Sequence, residues 1–138
     1  MTGKISVYTD GGSRGNPGLS AIGIVFADDS GKVFMERKES IGIGTNNRAE
    51  YKALIKAMGL ALKHNLKNIV FHTDSKLVCG QMAGGWKVKE PKLKILHASA
   101  KELEREFDSV EYRHVPRENN FIKIADRLVN EALDEQRK

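Results

Sequence analysis

The apolar residues of this chain change their period part-way along it, and this change limits the folds that the chain can adopt. In the first third, apolar and polar residues alternate over residues 4–10, and β-rich stretches follow at 20–28 and 32–41. Further on, segments with helical spacing alternate with short apolar runs at 68–73 and 109–115. Strands joined by tight turns pair antiparallel, whereas strands separated by helices pair parallel through right-handed crossovers. The pattern therefore predicts an α/β fold with a mixed five-stranded sheet in the order βββαβααβα.

Four helices are predicted to pack on this sheet. The first begins at the polar segment 45–47, whose side chains are typical N-caps. The others are predicted at residues 75–83, from Pro91 onward and at about residues 122–136. A chain of 138 residues is long enough for one core. We therefore expect a single domain over residues 1–138.

Two aspartates stand at the ends of predicted strands. Asp10 ends the first strand and precedes the glycine-rich segment 11–18, which is predicted as a turn, and Asp74 ends the strand before the second helix. Ligand sites in α/β sheets form at the carboxyl ends of strands, so these aspartates are candidates for one shared site. The alternative for each is a turn or N-cap residue, and Asp74 would then cap the helix that follows it.

Glu50 is a third candidate because it lies on the predicted buried face of the first helix, in line with Leu54 and Ala57. A buried carboxylate is costly unless it is paired or bound to a metal. Its alternative role is a capping box with Asn47, three residues before it.

Asp126 is the fourth candidate and lies at the edge of the apolar face that Val129 and Leu133 form on the last helix. Its alternative role is stabilisation of the helix dipole. Carboxylates that converge repel one another unless a cation lies between them, and their oxygens suit Mg²⁺ or Mn²⁺, hard ions that also bind phosphate. Two such ions roughly 3.5–4 Å apart promote in-line displacement at phosphorus. The acids therefore predict phosphodiester hydrolysis.

The charge of the chain agrees with an anionic partner without identifying it. The formal net charge is +5. Four lysines cluster beside Trp86, at Lys87, Lys89, Lys92 and Lys94. This segment is either a nucleic-acid contact or a solvated loop and helix face, and Trp86 either touches nucleic acid or packs against the core.

Membrane insertion and disulfide bonding are not expected. No apolar run reaches the length of about 18 residues that would suggest a membrane span. Cys79 is the one cysteine of the sequence, so no disulfide can form within the chain. We expect a monomer in the reducing cytoplasm.

Four motifs occur in order along almost the whole chain, and together they resemble the type 1 ribonuclease H family. They are YTDGGSRGNPG at 8–18, TNNRAEYKAL at 45–54, HTDSKLV at 72–78, and HVPRENN at 114–120 followed by ADRLVNEAL at 125–133. Each motif alone is only suggestive, but the four in this order are highly specific. The resemblance implies the ribonuclease H-like fold and cleavage of the RNA strand of RNA–DNA hybrids, with the RNA 3′-oxygen leaving and 5′-phosphomonoesters as products.

The resemblance also implies roles for individual residues. The family's metal-binding acids correspond to Asp10, Glu50, Asp74 and Asp126, its metal is Mg²⁺ with Mn²⁺ often accepted, and two ions are expected with substrate bound. His114 corresponds to the family's catalytic-loop histidine, whose imidazole can move a proton near neutral pH. The substrate-binding positions correspond to Gly11, Gly12, Asn16, Thr45, Asn46, Asn47 and Arg117. Glycine-turn N–H groups can approach the backbone of a nucleic acid closely, and asparagines can read a 2′-hydroxyl, which RNA has and DNA lacks.

Two features depart from the family pattern. The segment 83–94, after the second helix, is short and resembles the subgroup that lacks a basic protrusion. The spacing from His114 to Asp126 is twelve residues, longer than the family's usual spacing. Because the loop is longer, either His114 or Arg117 is a candidate for its catalytic role.

Two other functions are weighed against this one. A nucleic-acid-binding module without catalysis is disfavoured because acids stand at all four positions. An actin-like ATPase would share the sheet topology, but the chain is too short for the paired halves that such a site needs. A P-loop is excluded because no GKS or GKT follows the glycines.

Overall fold

The computed structural model describes residues 4–136, so the first three and last two residues of the predicted domain 1–138 lie outside the described part. The elements follow the predicted order βββαβααβα. Their bounds are β1 Ile5–Arg14, β2 Gly18–Ala27, β3 Val33–Gly44, α1 Asn46–Lys63, β4 Asn68–Thr73, α2 Lys76–Met82, α3 Pro91–Glu104, β5 Ser109–His114 and α4 Asn120–Gln136.

The five strands form one mixed sheet in the order β3-β2-β1-β4-β5. The first three pair antiparallel, and β4 and β5 join them in parallel, which confirms the predicted sheet. The main core lies on one face, where α1, α2 and α3 cover it, and α4 packs on the other face. Within residues 4–136, no helix combines the length and apolarity needed to cross a membrane.

The glycine-rich segment differs from its prediction as a turn. β1 does not stop at Asp10 but runs on to Arg14, because its backbone stays paired with β2 as far as Arg14 and Leu19. The turn is confined to the three residues between the strands, where Gly15 has a φ of 93°, a value that favours glycine. Sequence reasoning read these glycines as turn residues because glycine is common in turns, but Gly11 and Gly12 are strand residues.

β4 is shorter than β1 and leaves part of it unpaired on one side. The parallel pairing of these strands is recorded as far as Tyr8 and His72, and β4 ends at Thr73. Asp10 therefore lies where β1 passes the end of its neighbour rather than at the end of its own strand. This gap is the edge of the sheet at which a site can form.

Two glycines bring a helix against each face at this level. A Cβ on Gly11 would lie 2.3 Å from the carbonyl carbon and oxygen of Ala49 in α1, and a Cβ on Gly23 would lie 2.1 Å from the carbonyl oxygen of Ala125 in α4. Gly23 is the β2 partner of Asp10. Because both glycines lack a side chain, the helices that carry Glu50 and Asp126 can approach the sheet beside Asp10.

Candidate active site

Three of the predicted acids meet at the gap beside β1. One carboxylate oxygen each from Asp10, Glu50 and Asp74 can be chosen so that all three lie within 4.8 Å of one another. Asp10 is buried, and the other two are partly buried. The acids line a cleft of about 290 Å³, which Asp126 also lines. This cleft is called the carboxylate cleft below.

The structural alternatives for these acids are not realised. Thr45, rather than Asn47, is the N-cap of α1, with its hydroxyl accepting from the Arg48 N–H, so Glu50 is not the partner in a capping box. Ser75, rather than Asp74, caps α2. α4 begins at Asn120, so Asp126 lies beyond its first turn.

Glu50 has a specific contact that fixes it in the cleft. Its Oε1 accepts a hydrogen bond of 3.0 Å from the backbone N–H of Gly11. The close contact between Gly11 and Ala49 makes this bond possible because it brings the first turns of α1 against β1. The helix and the strand therefore position Glu50 together.

The cleft holds more negative charge than it can stabilise alone. Burial, followed by the charges of Asp74 and Asp126, raises the pKa of Asp10 to about 8. Burial and the charges of Asp10 and Asp74 also raise the pKa of Glu50 well above its usual range, although the Gly11 N–H and the Arg117 charge act in the opposite direction. Both shifts favour the protonated forms of Asp10 and Glu50, and a cation beside these two carboxylates would oppose them.

The donor set fits a divalent metal. Oxygen ligands from carboxylates are those that hard cations prefer, and a dication would remove the repulsion that raises these pKa values. The acidic cluster is thus consistent with divalent-metal binding.

Asp126 approaches from the other face of the sheet and is less constrained. It is exposed, and the group of three mutually close acids does not include it. Its carboxyl lies near enough to Asp10 to raise the pKa of Asp10 through its charge and a side-chain hydrogen bond. The structure therefore places all four predicted acids on one cleft but groups only three of them tightly.

The predicted substrate-binding residues fall into two neighbouring sets. Gly11, Gly12, Asn46 and Arg117 line the carboxylate cleft. Asn16, Thr45 and Asn47 instead line an adjacent groove of about 360 Å³, together with Arg48, Glu90, Lys92 and Leu93. This second cleft is called the side groove below.

Hydrogen bonds between the β1–β2 turn and α1 join the cleft to the groove. The Asn16 Oδ1 accepts from the backbone N–H of Asn46 at 3.0 Å, and the Asn46 Oδ1 accepts from the backbone N–H of Ser13 at 2.8 Å. The asparagines therefore hold the turn against the start of α1 and leave the two depressions side by side.

His114 and Arg117 are separated by the structure. Arg117 lines the carboxylate cleft, and its Nε lies 3.8 Å from the Asp74 Oδ2. His114 is exposed at the end of β5 and does not line the cleft. Arg117, rather than His114, therefore lies beside the acids.

Sequence reasoning missed three polar residues that line the cleft, Ser13, Arg14 and Asn130. Arg14 lies four residues after Asp10 on β1 and hence on the same face of the strand. Asn130 lies one turn after Asp126 on α4. The period of two would have revealed Arg14 if the first strand had been extended through the glycines, and helical spacing would have revealed Asn130.

Trp86 packs against the protein but remains half exposed. One face of its ring packs on Gly80, where a Cβ would lie 2.4 Å from the ring, yet the residue is 54% exposed. The Gln81 amide donates to the carbonyl oxygen of Lys87 and fixes the segment that follows. The indole is therefore held in place on the surface beside exposed lysines.

Comparison with known proteins gives concordant similarities. A family model described as "Reverse transcriptase-like" matches residues 8–132. The chain is 44% identical over 132 residues to the bifunctional protein Rv2228c of Mycobacterium tuberculosis, which covers 95% of this chain and 36% of that protein. It is 42% identical over 133 residues to ribonuclease HI of Halobacterium salinarum, which covers 96% of this chain and 66% of that protein. The chain thus spans about a third of the first relative and about two thirds of the second.

Solved structures agree with these relatives. The crystal structure of RNase H1 from Halobacterium salinarum superposes with a TM-score of 0.91 at 41% identity and covers 96% of this chain and 99% of that chain. LC11-RNase H1, in complex with an RNA/DNA hybrid, superposes with a TM-score of 0.91 at 41% identity and covers 98% of this chain and all of that one.

Proposed function

The chain belongs to the type 1 ribonuclease H family, and we propose that it is an endonuclease that hydrolyses the RNA strand of RNA–DNA hybrids. Residues 1–138 would form the single catalytic domain. The observation that carries the proposal is the carboxylate cleft, in which three acids from β1, α1 and β4 lie within 4.8 Å of one another. The proposal is also supported by a similar protein whose structure contains an RNA/DNA hybrid.

Asp10, Glu50, Asp74 and Asp126 would hold two Mg²⁺ ions, with Mn²⁺ as an alternative. Divalent ions in such a site lower the pKa of water and neutralise charge on the leaving oxygen. The protein's own contribution is positional: the Gly11 N–H orients Glu50, and the packing of two helices on glycines sets the spacing of the acids. Arg117 adds a positive charge beside Asp74, where it can hold a phosphate oxygen.

Hybrid recognition is assigned to the backbone of the β1–β2 turn and to the asparagines. Gly11, Gly12 and Asn46 lie beside the acids, where the RNA strand must pass if it is to be cut. The side groove carries Arg48 and Lys92, whose charges suit a phosphate of the second strand, and its one acid, Glu90, accepts from the backbone at the start of α3. His114 would assist proton movement if the loop that follows β5 brings it inward.

We also propose that the protein acts as a monomer in the cytoplasm. A single free cysteine, Cys79, supports the reducing compartment. The carboxylate cleft is built by one chain, so catalysis needs no second copy.

One gel assay tests the function. The same labelled RNA is presented as a hybrid, as a single strand and as duplex RNA, with Mg²⁺ and with a chelator. We expect cleavage of the hybrid alone, dependent on Mg²⁺, with 5′-phosphate at the new ends, and no cleavage by Asp10→Asn. Metal-independent cleavage, or equal cleavage of all three substrates, would contradict the proposal.

A further inference from the structure

We propose that Arg14 anchors an RNA-strand phosphate next to the one that is cut. The inference rests on the proposed function and adds to it a residue that the four acids and the asparagines do not include. It starts from charge: among the described residues that line the carboxylate cleft, Arg14 and Arg117 are the only cations.

The two arginines reach the cleft from different elements. Arg117 follows β5 and lies 3.8 Å from Asp74. Arg14 ends β1 and lies beside α4, on the far side of Gly12 from Asp10. A nucleic-acid strand has a phosphate at every nucleotide. A strand whose reacting phosphate lies at the acids therefore presents its neighbouring phosphates to positions on either side of them.

Arg14 is held in place by α4. Its Nη1 lies 2.7 Å from the Asp134 Oδ1, and its Nη2 donates to the Asn130 Oδ1 at 3.4 Å. The Asn130 amide in turn donates to the Asp126 carbonyl oxygen at 3.0 Å. The guanidinium is thus linked to the helix that carries the fourth acid, and its position relative to the site is set before substrate arrives.

These contacts leave Arg14 able to bind an anion. A guanidinium has five N–H donors, and the two recorded contacts use one donor on each terminal nitrogen. Asp134 is 64% exposed, so solvent screens its pairing with Arg14 and the pair is of little value for stability alone. A planar guanidinium also matches phosphate geometry. The competing explanation is that Arg14 only fastens the β1–β2 hairpin to α4.

Three variants separate the two explanations. Arg14→Ala removes both the charge and the fastening. Asp134→Asn weakens the fastening but keeps the guanidinium. Arg127→Ala is the matched control, because Arg127, an arginine of α4, is likewise paired with acids but does not line the cleft. Hybrid affinity is measured in an Asp10→Asn background, so that the substrate is not consumed.

We expect Arg14→Ala to weaken hybrid binding by roughly tenfold, the effect of one charge-assisted hydrogen bond that is partly exposed to solvent. The slope of log affinity against log salt should fall by about one unit. Asp134→Asn should stay within about threefold of the parent, and Arg127→Ala should match it. If Asp134→Asn loses as much affinity as Arg14→Ala, the fastening explains the effect and the proposal is wrong.

Neutral linkages then identify the phosphate. Single methylphosphonates replace RNA-strand phosphates one at a time on either side of the cleavage site. Each is compared with a hybrid that has the same 2′-deoxynucleotide and an ordinary phosphate. At one flanking position the neutral linkage should cost the parent roughly tenfold in affinity and cost Arg14→Ala nothing further. If the neutral linkage lowers the affinity of the parent and of Arg14→Ala by the same factor at every position, the assignment is wrong.

The outcomes for Arg14 and for the proposed function are distinguishable. If the wild-type protein binds hybrid with this coupling but does not cut it, the catalytic proposal fails and the Arg14 assignment stands. If it cuts hybrid but no linkage is coupled to Arg14, only the Arg14 assignment fails. If it neither binds nor cuts hybrid, both are wrong.

Discussion

Glu50 and Asp126 approach the same cleft from opposite faces of the sheet, but the protein holds them very differently. Glu50 is partly buried, accepts a backbone hydrogen bond from Gly11 and lies within the group of three close acids. Asp126 is exposed and lies outside that group. One side of the site is therefore fixed by main-chain contact, whereas the other depends on where α4 is placed. The comparison teaches that the acids of one site need not be equally pre-organised.

The largest expected effect concerns activity at the two sides. Asp10→Asn should lower hybrid cleavage by at least about 10³-fold, because Asp10 belongs to the group of three close acids and its carboxyl also interacts with Asp126. Asp126→Asn should lower the cleavage rate by only about 10- to 100-fold, because Asp126 is exposed and an amide or a water molecule can take the place of its carboxylate. Initial rates in excess Mg²⁺ measure both. Equal losses would mean that Asp126 is held as firmly as Asp10 when substrate is bound.

The raised pKa of Asp10 also predicts that the stability of the metal-free protein depends on pH. The pKa of Asp10 is raised to about 8 in the folded protein, so the folded state holds its proton more tightly than the unfolded chain does. Its contribution to the free energy of unfolding is full below about pH 4 and is lost as pH rises towards about 8. Metal-free wild type should lose at least about 2 kcal/mol between about pH 5 and about pH 8.5 relative to Asp10→Asn.

Urea melts of the two proteins in chelator at both pH values measure this difference. Mg²⁺ should restore more stability to the wild type at the higher pH, where fewer protons must leave before the ion binds. A wild-type curve parallel to that of Asp10→Asn would show that burial and the neighbouring acids do not raise the pKa of Asp10.

A third prediction concerns the glycine that sets the position of Glu50. Gly11→Ala would place a Cβ 2.3 Å from the Ala49 backbone, so α1 must move away from β1. We expect a loss of about 2–3 kcal/mol in the free energy of unfolding and a loss of cleavage as Glu50 is displaced. Gly59→Ala, also a glycine substitution and on α1 itself, is the control: nothing lies within 4 Å of its added Cβ, and it should gain about 0.5–1 kcal/mol. A Gly11→Ala protein as stable as the wild type would contradict the close approach.

Much of this arrangement could be predicted from the sequence because local patterns specify it. The strand and helix order follows from hydrophobic period, and the bounds of β4, Asn68–Thr73, agree with the predicted strand. Glu50 was singled out because a carboxylate on an apolar face needs a partner, and the structure supplies one at Gly11.

The remaining features depend on distant contacts that local patterns do not encode. The extension of β1 to Arg14 depends on pairing with β2, which the local pattern does not encode, so the glycines predict a turn instead. The close packing of Gly23 on Ala125 joins residues about a hundred positions apart. The grouping of three acids apart from Asp126 follows from which helix covers which face, and composition carries no signal for it.

The smallest expected effects separate His114, the last residue of β5, from Arg117 in the loop that follows. His114 is exposed and does not line the cleft, so His114→Ala should lower kcat by about tenfold, less than the roughly 10²–10⁴-fold of a well-positioned acid–base group. It should also change the shape of the pH profile of kcat, because the step that His114 is proposed to assist is a proton transfer. Arg117→Ala should act mainly on KM, by about tenfold, and leave the shape of the profile unchanged, because its proposed role is to hold a phosphate oxygen rather than to move a proton. Arg113→Ala, an exposed arginine of β5 that pairs with Glu111 outside the cleft, is the control for both. If His114→Ala matches wild type at every pH while Arg117→Ala is slow, the histidine has no part in proton transfer. Arg117, beside Asp74, is then the residue of this loop on which cleavage depends.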